Sequence, residues 1–146
     1  MQKILLTSIL EKAAIITVNP AFKIQFANTI SEKLLKAKNR ELQNKEMQQI
    51  FENGTTFEKL KNEITNSERD KITIPMETIK TIDGSNTKIP VRIIIKKIRN
   101  QTNKLLGFIF VFKDISEIKN YALLLKEKIK EIEKKDNSIQ ELREAL

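Results

Sequence analysis

The feature that most constrains this chain is a junction in its last third. The apolar run Leu105-Leu106-Gly107-Phe108-Ile109-Phe110-Val111-Phe112 passes through Lys113-Asp114-Ile115-Ser116-Glu117 directly into a long, charged stretch with helical periodicity. Apolar residues at both parities mark a strand expected to be covered on both faces. Asp114 and Glu117 stand three residues apart, the spacing of a capping box, in which side chains satisfy the free backbone N–H groups of a helix's first turn. No Gly or Pro loosens the joint. The chain therefore reads as a sheet wired to a helix, and a movement of the first is expected to be felt by the second.

Residue types absent from the chain narrow its chemistry. Its 146 residues contain neither His nor Cys. Without imidazole there is no usual general base, phosphoryl acceptor, zinc ligand or proximal haem ligand. Without thiol there is no disulfide and no thiolate nucleophile, a composition that suits a reducing compartment. The remaining acids form no tight pair on a recognisable scaffold, so the chain is expected not to be an enzyme. The length suits one core plus an appendage. No run approaches the eighteen or so apolar residues of a membrane span, and Ile4 to Val18 is interrupted by Glu11 and Lys12. A cytoplasmic location without membrane contact is expected.

The net charge of +8 raises the question of nucleic acid. From Ser116 onward seven basic residues are matched by seven acidic ones, so the whole excess lies in the first 115 residues. There it is mostly scattered Lys, with no Trp and no aromatic residues interleaved as stacking platforms. No nucleic-acid partner is expected. The densest cluster, Lys96, Lys97, Arg99 and Lys104, brackets a turn and reads as charge protecting a sheet edge.

Residues 2 to 12 place Ile4, Leu5, Leu6, Ile9 and Leu10 over one wide helical face, a short amphipathic helix. Ala14 to Val18 reads as a buried strand, Asn19-Pro20 as a turn, and Lys23 to Ala27 as the second strand of a hairpin. Asn28 is placed to cap a helix beginning at Thr29, which carries Ile30, Leu34 and Leu35 inward. A second helix is expected from Glu41 to Phe51, burying Leu42, Met47, Ile50 and Phe51 and ending at Asn53-Gly54. A third, around Thr56 to Thr65, buries Phe57, Leu60 and Ile64. Strands follow at Ile72 to Ile82 and Lys88 to Ile98, joined at Asp83-Gly84, and Asn100 to Asn103 turns into the Phe-rich strand.

Five features then fall in order along this pattern. They are Asn28 opening a helix after the second strand, the Asp83-Gly84 turn, Pro90-Val91 entering the fourth strand, Gly107 before the fifth, and Asp114-Ile115-Ser116-Glu117 followed by Ile118-Lys119. Together they resemble the PAS sensor domain, whose exit motif D-I-T-E appears here with Ser in place of Thr. The resemblance covers about Leu6 to Glu117. It implies an α+β fold with a five-stranded antiparallel sheet and flanking short helices, divided as an N-terminal helix over 1–13, a sensor core over 14–115 and a coiled-coil signalling helix over 116–146.

The resemblance further implies a sensory module that passes a stimulus through its exit helix to an effector in the same chain. The effector expected is a histidine kinase of a two-component system. The alternatives are an input domain of a diguanylate cyclase and a ligand-free dimerisation module. A small-molecule ligand is an open question, and the cofactor is unknown. A cysteine-adduct flavin and a histidine-ligated haem are both argued against by the missing residue types.

Candidate site residues follow. Asn28, Phe108, Phe110 and Phe112 are candidate ligand contacts, although an N-cap and three alternating core aromatics account for them structurally. Asp114, Ser116 and Glu117 are the candidate relay. In the last helix Ile118, Leu125, Ile132, Ile139 and Leu146 recur every seven residues, with Tyr121 and Leu142 at partner positions. This heptad seam implies a homodimer formed through the terminal helices. Lys128 and Lys135 occupy the remaining partner positions, so the seam weakens in its middle, where Ile129 stands beside it.

Overall fold

The computed structural model describes the backbone of residues 13–145 and the side chains of residues 13–136. The expected N-terminal helix lies outside these residues apart from Ala13. The chain divides into two compact units, Met1–Asp114 and Ile115–Leu146.

The first unit is built on five strands, β1 (Ala14–Val18), β2 (Ile24–Ala27), β3 (Lys71–Lys80), β4 (Lys88–Arg99) and β5 (Leu105–Asp114). They form one antiparallel sheet in the order β2-β1-β5-β4-β3, so the last strand of the sheet enters between the first and the fourth. Between β2 and β3 run α1 (Thr29–Leu35), α2 (Asn39–Leu42), a 3-10 turn (Met47–Ile50) and α3 (Gly54–Asn66). The inner face of the sheet is set by period-2 alternation. Phe108, Phe110 and Phe112 of β5 lie opposite Val18, Ile16 and Ala14 of β1, and the last two also face Ile95 and Ile93 of β4. All of these are buried, together with Leu35, Leu42, Met47, Ile50, Phe57, Leu60 and Ile64 from the helical segment.

The opposite face of β5 corrects one expectation. Ile109 and Val111 are only half-buried, so the strand is apolar on both faces but deeply covered on one. β4 corrects another, because it lies between β5 and β3 and is not an edge. Its basic residues are held locally instead. Lys97 Nζ donates to the Ser67 carbonyl at 2.6 Å and Arg99 pairs with Asp70 at 3.3 Å. The edge on that side is β3, which has a bulge between Ile74 and Glu77, where Pro75, lacking an N–H, interrupts no ladder bond that an inner strand would need.

The expected helix from Glu41 to Phe51 is divided. Asn44 adopts φ 68° and its N–H donates to the Ile24 carbonyl, while the Lys45 carbonyl accepts from Ile24 N–H. Pairing with β2 thus diverts the backbone out of the helix after Leu42, although all four apolar residues named for that helix are buried. Asn53 begins a helix rather than ending one, its Oδ1 accepting from the N–H groups of Thr55 and Thr56. Gly107 lies where the backbones of β5 and β1 approach closely. Its φ is +155°, and a Cβ built there would lie 2.1 Å from the Val18 carbonyl oxygen, so any side chain would push β1 off β5.

The second unit is a single helix, α4 (Ser116–Ala145), of 30 residues.

Candidate functional site

The space between the inner face of the sheet and the helical segment is filled by aromatic rings. Six of the seven phenylalanines of the chain are buried there, and only Phe26 is exposed. At their centre is Phe22, from the turn between β1 and β2. Its ring stacks on Phe108 with centroids 4.6 Å apart and planes at 19°, and meets Phe57 and Phe110 edge-on at 6.0 and 6.3 Å. Phe51 leans on Phe57 at 4.9 Å, and Phe110 stacks on Phe112 at 6.0 Å. These offset-stacked and edge-to-face arrangements are those that aromatic quadrupoles favour. The predicted residues Phe108, Phe110 and Phe112 are therefore brought together on one wall of this interior.

Phe22 reaches that position only through a strained backbone. Its φ is 62°, a left-handed conformation that costs a residue with a Cβ about 1–2 kcal/mol. The turn is fixed from several directions. Asn19 Oδ1 accepts from Ala21 and Lys23 N–H, both at 3.0 Å, Phe22 N–H donates to the Asn19 carbonyl at 2.9 Å, and the Phe22 carbonyl accepts from Met47 N–H at 2.9 Å. Sequence reading found the Asn19-Pro20 turn but missed Phe22. The available signal was a lone large aromatic inside an otherwise small and polar turn.

Asn28 caps α1 as expected. Its Oδ1 accepts from Ser31 N–H at 2.9 Å and also from Ile15 N–H at 3.0 Å, while Nδ2 donates to the Ala13 carbonyl at 2.9 Å. The buried Ser31 hydroxyl lies 2.8 Å from the same oxygen and 2.9 Å from the Ile15 carbonyl oxygen. The side chain thus joins the start of β1 to the start of α1, and every hydrogen bond it makes is to these two elements or to Ala13 just before β1. Thr81, also buried and not anticipated, belongs to a second polar knot between β3 and β4. There Asp83 Oδ1 accepts from Thr81 Oγ1, Ser85 N–H and Ser85 Oγ. The Ser85 side-chain and backbone donors, with Thr81 and the positive charge of Lys36, hold the Asp83 carboxyl below its ordinary value near 3.8.

The relay candidates fall at the boundary of the units. Asp114 is the last residue of β5, and Ser116 and Glu117 are the first two of α4. Within α4 the seam residues are open. Ile118 is 53% exposed, Tyr121 69%, Leu125 63% and Ile132 59%. Leu123, Leu124 and Ile129 are exposed as well, so the apolar surface of the helix is broader than a strict two-position seam. The side chains of Ile139 and Leu142 lie outside the described residues.

No group of His, Cys, Asp and Glu among the described residues is placed to hold a metal ion. A surface cleft of about 500 Å3 lies along α1 and α2 between Glu32, Lys33, Lys36, Lys38 and Glu41, away from the aromatic interior. No described helix is long and apolar enough to cross a membrane.

Solved structures share this architecture at low identity. A PAS domain from Colwellia psychrerythraea superposes with a TM-score of 0.64 at 17% identity, covering 78% of this chain and 98% of its own. A light-oxygen-voltage domain studied with a flavin analogue gives 0.65 at 13%, covering 88% and 96%. The PAS domain of a LuxR-family transcriptional regulator from Burkholderia thailandensis, in complex with ethanol, gives 0.60 at 12%, covering 73% and 92%. No curated protein matches the sequence. The family model for the PAS domain matches residues 12–117, which take in all five strands and the first two residues of α4. With that match over most of its length and the sheet order described above, the chain belongs to the PAS domain family, whose members are generally sensory and regulatory modules rather than catalysts.

Proposed function

We propose that this chain is a cytoplasmic input module that dimerises through α4 and hands a stimulus to an effector domain attached beyond the helix, a histidine kinase in the first instance and a diguanylate cyclase as the alternative. The observation that carries the reading is the open apolar surface of α4. A helix of 30 residues exposes Ile118, Tyr121, Leu125 and Ile132 at heptad spacing, largely uncovered among the described residues. A second copy of the same helix supplies that cover in register. Asp114, Ser116 and Glu117 then act as the joint through which the sheet biases the helix pair.

The test is a chimera in which α4 is joined in heptad phase to the catalytic region of a histidine kinase. Inserting one to seven residues at the junction is expected to make autophosphorylation rise and fall with helical phase and recover at seven. Output independent of phase would contradict a helical relay.

A second reading, a ligand-free interaction module, is favoured by one observation, the ring of Phe22 already occupying the centre of the interior. In that case α4 pairs as before and no small molecule enters the core.

A further inference from the structure

The outer face of the sheet carries positive charge that the first unit leaves unanswered. Residues directly opposite each other on neighbouring antiparallel strands share one face, and like charges so placed repel. Arg92 of β4 lies opposite Lys113 of β5, and Lys96 of β4 lies opposite Lys71 of β3. All four are exposed, and among the described residues none of them is paired with a carboxylate. A third such pair, Lys80 and Lys88, differs because Lys88 is bound to Glu52.

The surface between the two open pairs is apolar. Ile94, Val111 and Ile15 stand side by side across β4, β5 and β1, and in the next row Ile109 and Phe26 flank Thr17. The four aliphatic residues are half-buried and Phe26 is 49% exposed. None of these outward positions holds Asp or Glu. We infer that this face docks an acidic amphipathic helix of a partner protein, with apolar side chains on the row of Ile94, Val111 and Ile15 and carboxylates over the cation pairs on either side.

The dimensions agree. Neighbouring strands are about 4.8 Å apart, so the three-residue row spans about 10 Å. Apolar residues at i, i+4 and i+7 of a helix span about 10.5 Å at 1.5 Å per residue. The cation pairs lie two residues along the strands from that row, about 7 Å away, beneath the flanks of a helix about 10 Å wide. Charge selects the occupant. Residues 1–12 bring Lys3 and Lys12 against one Glu11, and from Ser116 onward acid and base balance, so neither end of this chain complements the face. A lipid surface is the poorer match, since the aliphatic side chains that would enter it are half-buried beside longer cations.

The probe is a fluorescein-labelled synthetic helix with Leu at those spacings flanked by Glu, set beside a scrambled peptide of the same composition and beside phosphatidylglycerol vesicles. The full chain is titrated as wild type and as Arg92→Glu with Lys96→Glu. This reversal turns both repelling pairs into attracting ones, so the variant is expected to melt no lower than the wild type. The wild type is expected to bind the amphipathic peptide more tightly than the scrambled one. Its affinity is expected to fall at least about tenfold in the variant, and also as salt rises from about 0.05 to about 0.3 M. The peptide is expected to move the amide resonances of Ile15, Ile94 and Val111. Equal binding of the scrambled peptide, an unchanged affinity in the variant, or resonance shifts confined to α4 would each overturn the proposal. Capture by the vesicles at about 0.15 M salt that the reversal abolishes would overturn it in favour of lipid, and an altered oligomeric state of the variant in favour of a second copy. If the variant does not fold, the wild-type resonances decide alone. The reversal leaves Ile118, Leu125 and Ile132 in place, so loss of the docking face and loss of pairing through α4 are separately visible.

Discussion

The aromatic interior of the first unit and the surface of α4 treat apolar side chains in opposite ways. In the interior, Phe108, Phe110 and Phe112 are all but inaccessible, and among the described residues no buried side-chain polar atom lacks a hydrogen-bond partner. Along α4, Leu125 and Ile132 are more than half exposed, with Ile118, Tyr121, Leu123, Leu124 and Ile129 also open among many charged residues. The contrast teaches where each part gets its stability. The sheet and its helices are stabilised by burial that the chain completes within itself. Isolated helices are marginal in water, and α4 leaves its apolar positions open, which is the ground for the proposed pairing with a second copy.

Substitutions separate the two regions, and the largest effect is expected in the interior. Gly107→Ala places a Cβ against the Val18 carbonyl between two central strands and is expected to cost more than about 4 kcal/mol, read as loss of the cooperative urea transition. Phe110→Ala removes a ring from the middle of the Phe wall and is expected to cost about 3–4 kcal/mol by the same measurement. Asn28→Ala removes the α1 cap and unpairs Ile15 N–H, for an expected loss of about 2 kcal/mol.

Acid should have a smaller effect. The folded-state value of Asp83 is depressed, so its contribution is complete above the ordinary carboxylate value near 3.8 and is lost as pH falls through the lower folded value. Asp83→Asn is therefore expected to flatten the fall in melting temperature below about pH 4 and to leave its dependence above pH 5 unchanged. Smallest of all for the core is Leu125→Asp with Ile132→Asp, expected to move the urea midpoint of the sheet by no more than the equivalent of about 0.5 kcal/mol.

Much of the fold was legible because its signals are local and periodic. The Asn28 cap, the three buried phenylalanines of β5 and the buried set Phe57, Leu60 and Ile64 of α3 follow from spacing alone. The boundaries around Gln43 to Glu46 were not, because the helix gives way there to hydrogen bonds with β2, a strand distant in sequence. Asn53-Gly54 was read as a stop although the same residues make a start, since an Asn beside a Gly suits either end of a helix. Phe22 was missed for a related reason. Whether an aromatic in a turn points outward or into a core depends on the backbone angle at that one residue, which no periodicity encodes.

The most direct measurement is sedimentation equilibrium of the wild type beside Leu125→Asp with Ile132→Asp, with thermal melts of both. The expected result is a wild-type dimer and a monomeric variant whose melting transition is unchanged when both are extrapolated to the same protein concentration. A monomeric wild type, or a variant that remains a dimer, would contradict pairing through α4 and with it the relay built on that pairing.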